Sequence, residues 1–244
     1  MKGWRSSLRG WSDVIFPPSC VHCRGVVASE GAFRHLCSKC VSQLDYVSPP
    51  HCTTCGHPFY GVVEGERMCP HCEGLAPAFR EGRTAVLLKG PARALIHELK
   101  YHRGLHVLVD VAEIFRRAPH VLSLAAGATL VPVPLHPRKQ RERGYNQSQL
   151  IAEQLVRVAG QGTSVKRLLC RTVDTDSQTN HDRRERQLNL KNAFAPSPGQ
   201  PLSADCHYVL VDDVFTTGST LNSCAKALRR AGGVNLDVIT FGHG

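Results

Sequence analysis

A short stretch near the C-terminus, residues 208–220, constrains the fold of this chain most. It begins with the apolar run Tyr208–Val211, continues with Asp212 and Asp213, and reaches a hydroxyl-rich turn before a helical pattern over 221–231. A short β-branched run between turn signals is typical of a buried strand in a parallel sheet. The helical pattern ends at a pair of glycines, as helices commonly do. The stretch therefore predicts a strand, a turn and a helix in that order, which is one unit of an α/β domain.

The turn of this unit has the features of a phosphate site. At the start of a helix the first backbone N–H groups have no partner within the helix, and they attract anions. Gly218 would let an anion approach this backbone closely. The surrounding hydroxyl side chains add neutral donors: Thr216, Thr217, Ser219 and Thr220. The turn does not match GxxxxGK[ST], which excludes the P-loop of proteins that bind nucleoside triphosphates.

Two carboxylates, Asp212 and Asp213, directly precede this turn. They would repel a bound phosphate unless they face another group. We interpret them as hydrogen-bond acceptors for the hydroxyls of a ribose attached to the phosphate. The alternative is that the two acids only end a strand and that the turn only caps a helix. The fixed order of strand, acids, turn and helix favours the sugar-phosphate site.

An internal repeat in the first third of the chain predicts two metal sites. Four CxxC motifs form two pairs, with 13 residues between the members of a pair and a repeat period of 32 residues. Two such motifs supply the four thiolates of a closed tetrahedral zinc site. Sequence order assigns one zinc ion to Cys20, Cys23, Cys37 and Cys40, and the other to Cys52, Cys55, Cys69 and Cys72. Because such sites have no open position, both zinc ions should be structural. Free thiols and an iron–sulfur cluster are the alternatives.

The net charge of +10 is unevenly distributed. Residues 1–78 hold 7 basic and 6 acidic side chains, whereas the rest of the chain holds 23 and 14. We predict two domains: an N-terminal helix and double zinc ribbon over 1–78, and an α/β domain over 79–244. The basic excess belongs to the domain with the phosphate site. This favours a small polyanion as the ligand, with a DNA or RNA strand as the alternative.

The composition also bears on the location of the protein. No apolar run approaches the ~18 residues of a transmembrane helix, and the N-terminus lacks the apolar core of a secretion signal. Eleven cysteines in such a chain indicate metal binding in a reducing compartment. We therefore expect a cytoplasmic protein without a membrane partner.

The second domain shows further elements of an α/β fold. Periodicity and start and stop signals predict strands over 84–88, 129–135, 168–173 and 236–241, and helices over 91–101, 105–117 and 147–158. Lys100, near the end of the first helix, is a candidate phosphate contact. A solvated lysine that interacts with the helix dipole is the alternative.

A cluster of cations follows the predicted strand over 129–135: Arg138, Lys139, Arg141 and Arg143. Open α/β sheets hold ligands beyond the carboxyl ends of their strands. We therefore predict a loop that binds pyrophosphate, with a solvated charge run as the alternative. The polar stretch 174–190 predicts a mobile lid over the site, with Gln178, Arg186 and Asn189 as its working residues. Simple disorder is the alternative for this stretch.

With both halves of the chain interpreted, the sequence resembles the ComF family of competence-associated proteins. Members of that family join a double zinc ribbon to a type I phosphoribosyltransferase domain. The marks of the resemblance are the two pairs of CxxC motifs, Lys100-Tyr101, Val131–Leu135, Arg143–Gln147, Gln178 with Arg186 and Asn189, Ala193-Phe194, and Asp212–Thr220. Together they cover nearly the whole length of the chain.

The resemblance implies a binding site for 5-phosphoribosyl-1-pyrophosphate (PRPP). Asp212 and Asp213 would hold the ribose hydroxyls, and Thr216–Thr220 the 5′-phosphate. Mg²⁺ would bridge oxygens of the ribose and the pyrophosphate. The cationic residues implied in contact with PRPP are Lys100, Arg138, Lys139 and Arg143, with Arg186 as a catalytic residue of the lid.

The resemblance also implies a function, with one alternative. The expected activity is transfer of phosphoribosyl to an acceptor that the sequence does not identify, in connection with DNA uptake and natural transformation. The alternative is a protein without catalytic activity that senses PRPP or a nucleotide, or that holds single-stranded DNA. In that case single-stranded DNA or competence proteins would bind through the zinc ribbon.

Overall fold

The computed structural model of this protein describes residues 18–61, 65, 67–172 and 193–244. Three predictions fall outside the described residues. They are the N-terminal helix, the lid over 174–190 and the catalytic role of Arg186, which lies in that lid.

A five-stranded parallel sheet organises the larger part of the molecule, with strand order β1-β7-β6-β2-β3. Its strands are β1 (Gly82–Leu87), β2 (Thr129–Pro132), β3 (Ser164–Val165), β6 (His207–Phe215) and β7 (Asn235–His243). Strands β4 (Leu169–Arg171) and β5 (Phe194–Pro196) form a separate antiparallel pair. The α/β fold predicted from the sequence is confirmed.

Two strands differ from the predicted ranges in a way that affects the site. Strand β2 ends at Pro132, earlier than predicted, because prolines at 132 and 134 lack the N–H that a ladder needs. Strand β6 is longer than its apolar run and contains both Asp212 and Asp213. It stays paired with β7 through Phe215, so the two acids lie in regular extended backbone.

Eight helices surround the sheet in the described part of the chain. They are α1 (Ser38–Val41), α2 (Pro70–Glu73), α3 (Gly90–Tyr101), α4 (Leu108–Arg116), α5 (Pro119–Ala125), α6 (Pro137–Arg143), α7 (Gln147–Ala159) and α8 (Ser219–Arg230). A 3₁₀ turn over Leu105–Val107 precedes α4. Helix α5 was not predicted, although it begins at a proline in the favoured first-turn position. None of the described helices is long and apolar enough to cross a membrane.

The core has two parts, one on each face of the sheet. Because successive side chains of a strand point to opposite faces, Val209 and Val211 of β6 pack among α3, α4, α5 and α7. Tyr208 and Leu210 pack instead against α8 and the β4–β5 pair. Phe33 of the N-terminal region belongs to the first part, whereas the cysteines over 52–72 belong to the second. The two cysteine-rich segments therefore lie on opposite faces of the sheet.

Candidate functional site

Asp212, near the carboxyl end of β6, is half-buried and held by two hydrogen bonds. Its Oδ1 accepts from the Ser148 hydroxyl at 2.7 Å and from the backbone N–H of Asp213 at 2.9 Å. Burial, followed by the charge of Asp213, raises the pKa of Asp212 to about 7, although the hydrogen bonds and Lys100 act in the opposite direction. Asp212 therefore holds its proton to a higher pH than an ordinary aspartate does.

Asp213 is only 5% exposed and pairs with a lysine. The Lys100 Nζ, in the last turn of α3, lies 2.9 Å from Asp213 Oδ2. Oδ2 accepts no hydrogen bond from the described residues, so the ion pair with Lys100 is its polar contact there. A carboxylate oxygen has two lone pairs and can therefore also accept from a ligand hydroxyl. Lys100 lies in the site rather than in solvent.

The turn after β6 leads into α8 through a left-handed residue. Gly218 is the N-cap of α8 with φ of 69°, and it makes no side-chain hydrogen bond to the first helical turn. Thr216 and Thr217 are exposed, and the Thr217 hydroxyl lies 3.0 Å from that of Ser219. The turn thus presents backbone N–H groups and hydroxyls together, which is the chemistry of an anion site.

The reason for a glycine at 218 differs from the expected one. A Cβ at this position would lie 2.6 Å from Phe215 Cζ and 2.8 Å from Leu75 Cδ2. It would point into the packing beneath the turn, not toward a ligand. The glycine is required by its positive φ and by this close packing. A larger side chain at 218 would therefore disturb the packing beneath the turn.

The predicted pyrophosphate loop is a short helix, α6, because Pro137 starts it and Gly144, with φ of 87°, ends it. The loop assignment is wrong, although these residues do follow β2. Arg138 Nε lies 2.9 Å from Glu142 Oε1, and the Arg143 guanidinium donates to Gln147. Lys139 lies on the same helix. Arg138 and Arg143 are thus both engaged with neighbouring side chains.

The junction between α6 and α7 links three parts of the site. The Asn146 amide donates to the Val133 carbonyl at 2.9 Å and accepts from the Ser148 N–H at 3.0 Å, as a helix N-cap does. The Tyr145 hydroxyl donates to the Leu99 carbonyl, next to Lys100. Ser148 was not predicted as a site residue, and its contact with Asp212 joins residues 64 positions apart.

A groove opens beside this junction, between β2, α6, α7 and β4. It has a volume of about 170 Å³. Its walls combine apolar residues with amides and two cations: Pro132, Pro134, Gln140, Asn146, Arg167 and Arg171.

The eight N-terminal cysteines form two groups of four, with the pairing predicted from sequence order. Within each group all the sulfur atoms lie within 4.8 Å of one another. Cys23 Sγ and Cys37 Sγ are 3.6 Å apart, as are Cys55 Sγ and Cys69 Sγ. Thiolates about 2.3 Å from a zinc ion are about 3.8 Å apart in a tetrahedron, so both groups fit structural zinc.

Each cysteine group is built in the same way. The third cysteine, Cys37 or Cys69, is the N-cap of a one-turn helix, α1 or α2. In the second group the Cys69 N–H donates to Cys52 Sγ at 3.2 Å, and the His57 N–H donates to Cys55 Sγ at 3.4 Å. Such bonds orient the sulfur atoms around a metal. We call residues 20–40 the first ribbon and residues 52–72 the second ribbon.

Comparisons with known proteins agree with this architecture. The family model described as "Double zinc ribbon domain" matches residues 11–73. Competence protein F of Haemophilus influenzae is 31% identical over 219 residues, which cover 87% of this chain and 91% of the relative. DNA utilization protein YhgH of Escherichia coli (strain K12) is 31% identical over 211 residues, 83% of this chain and 88% of the relative.

Competence protein ComFC of Bacillus subtilis (strain 168) is more distant, at 24% identity over 208 residues, 81% of this chain and 79% of the relative. Each of these alignments covers more than four fifths of the chain. The chain therefore belongs to the ComF family of competence-associated proteins.

Proposed function

We propose that this protein binds PRPP with Mg²⁺ at the carboxyl end of β6 and transfers its phosphoribosyl group to an acceptor. The observation that carries the proposal is the buried Asp213 carboxylate, whose Oδ2 pairs with Lys100 at 2.9 Å and accepts no hydrogen bond from the described residues. It lies in the same strand-to-helix unit as the N-terminus of α8, whose N-cap is a glycine without a side chain to bond the first helical amides. A ribose 5-phosphate matches both features, since it has hydroxyls to donate and a phosphate to accept.

Each part of PRPP has a proposed partner. Asp212 and Asp213 accept from the ribose hydroxyls, and Thr216–Thr220 hold the 5′-phosphate. Arg138, Lys139 and Arg143 on α6, with Lys100 and Arg186, meet the pyrophosphate. For the two arginines of α6 this requires an exchange of their contacts with Glu142 and Gln147. Mg²⁺ would supply charge neutralisation for the pyrophosphate, and Asp213 is the carboxylate that would lie nearest to it.

The reaction proposed for this site is a substitution at C1 of the ribose. The bond from C1 to the pyrophosphate oxygen breaks, and its electron pair leaves with the pyrophosphate. A bond forms from a nucleophilic atom of the acceptor to C1, and the acceptor releases a proton. The two carboxylates stabilise the ring as it becomes cationic, because negative charge near a developing cation lowers the barrier. The cations stabilise the departing pyrophosphate by the same principle.

Replacing Asp213 by Asn tests this proposal. The variant keeps the shape and loses the charge, so we expect PRPP affinity measured by calorimetry with Mg²⁺ to fall by about 1–3 kcal/mol. The rate of pyrophosphate release should fall further, since the charge matters most in the transition state.

The matched control is Asp205→Asn, which removes an exposed carboxylate near the start of β6 and should change neither quantity. Binding of PRPP without pyrophosphate release across a broad set of acceptors would make the protein a sensor. If the wild type did not bind PRPP, both the transferase and the sensor interpretation of the site would be wrong.

A second candidate function, holding single-stranded DNA, is favoured by a basic groove between the first ribbon and α3. The groove, about 460 Å³, is lined by the arginines Arg24 and Arg93, by three histidines and by one acid, Glu98. At its edge Tyr101 is 67% exposed, with its ring 4.8 Å from that of His97. Exposed aromatic rings beside cations are how proteins bind unpaired bases and their phosphates. The names of the relatives, competence protein and DNA utilization protein, fit this candidate.

Fluorescence anisotropy with a labelled single-stranded oligonucleotide tests the second candidate. Tyr101→Ala should weaken binding by about 1–3 kcal/mol, the contribution of one stacked base, and binding should weaken as salt rises. Tyr60→Ala is the control, because Tyr60 is exposed outside this groove. Equal affinities of the two variants would count against the groove.

A further inference from the structure

The segment that leaves the second ribbon, residues 75–78, lies directly against the phosphate turn. Leu75 follows the last metal ligand by three residues, and its N–H donates to the Cys72 carbonyl at 2.9 Å. Its side chain fills the space beside Gly218, where a Cβ would come within 2.8 Å of Leu75 Cδ2. Only two residues therefore separate a metal ligand from the packing beneath the turn.

Asn222, in the first turn of α8, binds this segment through both the oxygen and the nitrogen of its side-chain amide. It is 5% exposed. Its Oδ1 accepts from the Ala78 N–H at 2.8 Å, and its Nδ2 donates to the carbonyls of Leu75 at 3.0 Å and Ala76 at 3.3 Å. Its own N–H donates to the Gly218 carbonyl at 2.8 Å, the ordinary bond of the first helical turn. The side-chain amide therefore ties the start of α8 to the segment that leaves the second ribbon.

The Asn222 contacts fix an unusual backbone conformation. Ala76 has φ of 46°, in the left-handed region that residues with a Cβ seldom adopt. Such a conformation persists only where the surroundings determine it. The hydrogen bond from Asn222 to the Ala76 carbonyl is one such determinant.

The second ribbon also contacts the sheet beneath the turn. The Thr84 hydroxyl donates to the Cys55 carbonyl at 2.9 Å, and the Gly82 N–H donates to the Thr53 carbonyl at 2.7 Å. The His57 ring meets the His243 ring at 4.8 Å, and His243 in turn stacks on Phe215, the last residue of β6. The ring of Phe215 is the other group that would contact a Cβ at Gly218.

The first ribbon is anchored elsewhere. The N–H groups of Arg34 and His35 donate to Asp110 of α4 at 2.7 and 2.9 Å. The following segment bonds to β1, where the Val47 N–H donates to the Ala85 carbonyl. Asp110 is fully buried and holds the first ribbon as Asn222 holds the second.

We infer that the second ribbon positions the phosphate turn through Asn222 and Leu75, so that the metal-loaded second ribbon sets the affinity of the protein for the phosphate end of its ligand. The inference rests on the proposed function for the identity of the ligand. Asn222 is a positioning residue, since its side-chain amide holds the segment whose Leu75 packs beneath Gly218. The zinc site of the second ribbon thus contributes to ligand binding, although the proposed domain boundary at residue 78 separates it from the phosphate turn.

The test compares Asn222→Ala with Asp110→Ala, each of which removes the side chain that anchors one ribbon. Calorimetry on the full chain loaded with zinc measures three probes: PRPP with Mg²⁺, ribose 5-phosphate and pyrophosphate. We expect Asn222→Ala to weaken PRPP and ribose 5-phosphate about tenfold or more, as expected for a lost set of buried hydrogen bonds. Pyrophosphate affinity should stay within about twofold of the wild type, and Asp110→Ala should leave all three affinities within that range.

A second measurement does not depend on a ligand. Amide hydrogen exchange at residues 216–221 should accelerate in Asn222→Ala and stay unchanged in Asp110→Ala, because only the first change loosens the turn. If Asn222→Ala left the exchange of the turn and the ribose 5-phosphate affinity unchanged, or if both variants weakened the probes equally, the inference would be overturned. If the wild type bound no PRPP, the proposed function would fail, and hydrogen exchange alone would still decide the coupling.

Discussion

The two zinc ribbons have the same cysteine spacing, the same one-turn helix after the third cysteine and the same 3.6 Å sulfur separation, yet they lie in different surroundings. All four cysteines of the second ribbon are buried, whereas Cys23 of the first is exposed. The second ribbon packs on α8 and on the end of β6, and the first packs on α4 and β1. The cysteine spacing determines the metal site of each ribbon. The face of the sheet that a ribbon covers determines which other elements it contacts.

The largest expected difference between the ribbons concerns their third cysteines. Cys69→Ser should abolish PRPP binding, because loss of a structural zinc, about 10–16 kcal/mol of binding energy, unfolds the ribbon beneath the turn. Cys37→Ser should lose one zinc ion and keep PRPP affinity within a few-fold. Zinc analysis with calorimetry checks both. Equal loss of PRPP binding in the two variants would remove the distinction between the ribbons.

A smaller effect is expected where the second ribbon touches the turn. Gly218→Ala adds a clash with Leu75 and Phe215 to the strain of a positive φ, and we expect it to lower the free energy of unfolding by about 2–4 kcal/mol. Gly144→Ala is the matched control, because φ is also positive there and nothing lies within 4 Å of the added Cβ, so its cost should be about 1 kcal/mol.

Urea unfolding of the two glycine variants provides the measurement. Adding Leu75→Ala to Gly218→Ala should recover part of the loss, since it removes one of the two clashing groups. If Gly218→Ala and Gly144→Ala lowered the free energy of unfolding equally, the close packing of Leu75 beneath the turn would be contradicted.

A still smaller difference is expected in how stability depends on pH at two acids, Asp212 in β6 and Asp110 beneath the first ribbon. The pKa of Asp212 is raised to about 7, chiefly by burial, so the folded state holds a proton that the unfolded state has lost above pH 4. Its contribution to stability is therefore present at low pH and is lost as pH rises from about 4 to about 7.

Asp212→Asn should remove this loss while its amide oxygen still accepts from Ser148. Between pH 5 and pH 8 the free energy of unfolding of the variant should rise, relative to that of the wild type, by on the order of 1–2 kcal/mol. Thermal unfolding across this range measures it. Burial also raises the pKa of Asp110, but that carboxylate accepts two backbone N–H bonds, which an Asn amide nitrogen cannot replace. Asp110→Asn should therefore be less stable than the wild type throughout. A constant difference between Asp212→Asn and wild type across this pH range would contradict the raised pKa.

The sequence predicted the parts of this site that depend on neighbours along the chain. Cysteine pairing follows from spacing, and the order of β6, turn and α8 follows from a continuous run of residues. The contacts that complete the site join distant positions, such as Lys100 with Asp213, Ser148 with Asp212, and Asn222 with Ala78. A single sequence carries no signal for such pairs, because either partner alone is an ordinary polar residue.

The error at α6 has a different cause. Pro137 and Gly144 are helix start and stop signals, and they predict the seven-residue helix that the structure contains. The run of cations between them favoured a loop only because a phosphate ligand was expected there. Local conformational signals were in this case more reliable than the functional expectation.

The most direct test of the account is amide hydrogen exchange of the wild-type protein with and without PRPP and Mg²⁺. We predict slower exchange at residues 216–221 and in segment 75–78, which leaves the second ribbon. The ligand orders the turn, and Asn222 of the following helix is bonded to that segment. Exchange in the first ribbon, residues 20–40, should not change. Protection that is absent from residues 216–221, or equal in the two ribbons, would contradict both the location of the ligand and the role assigned to the second ribbon.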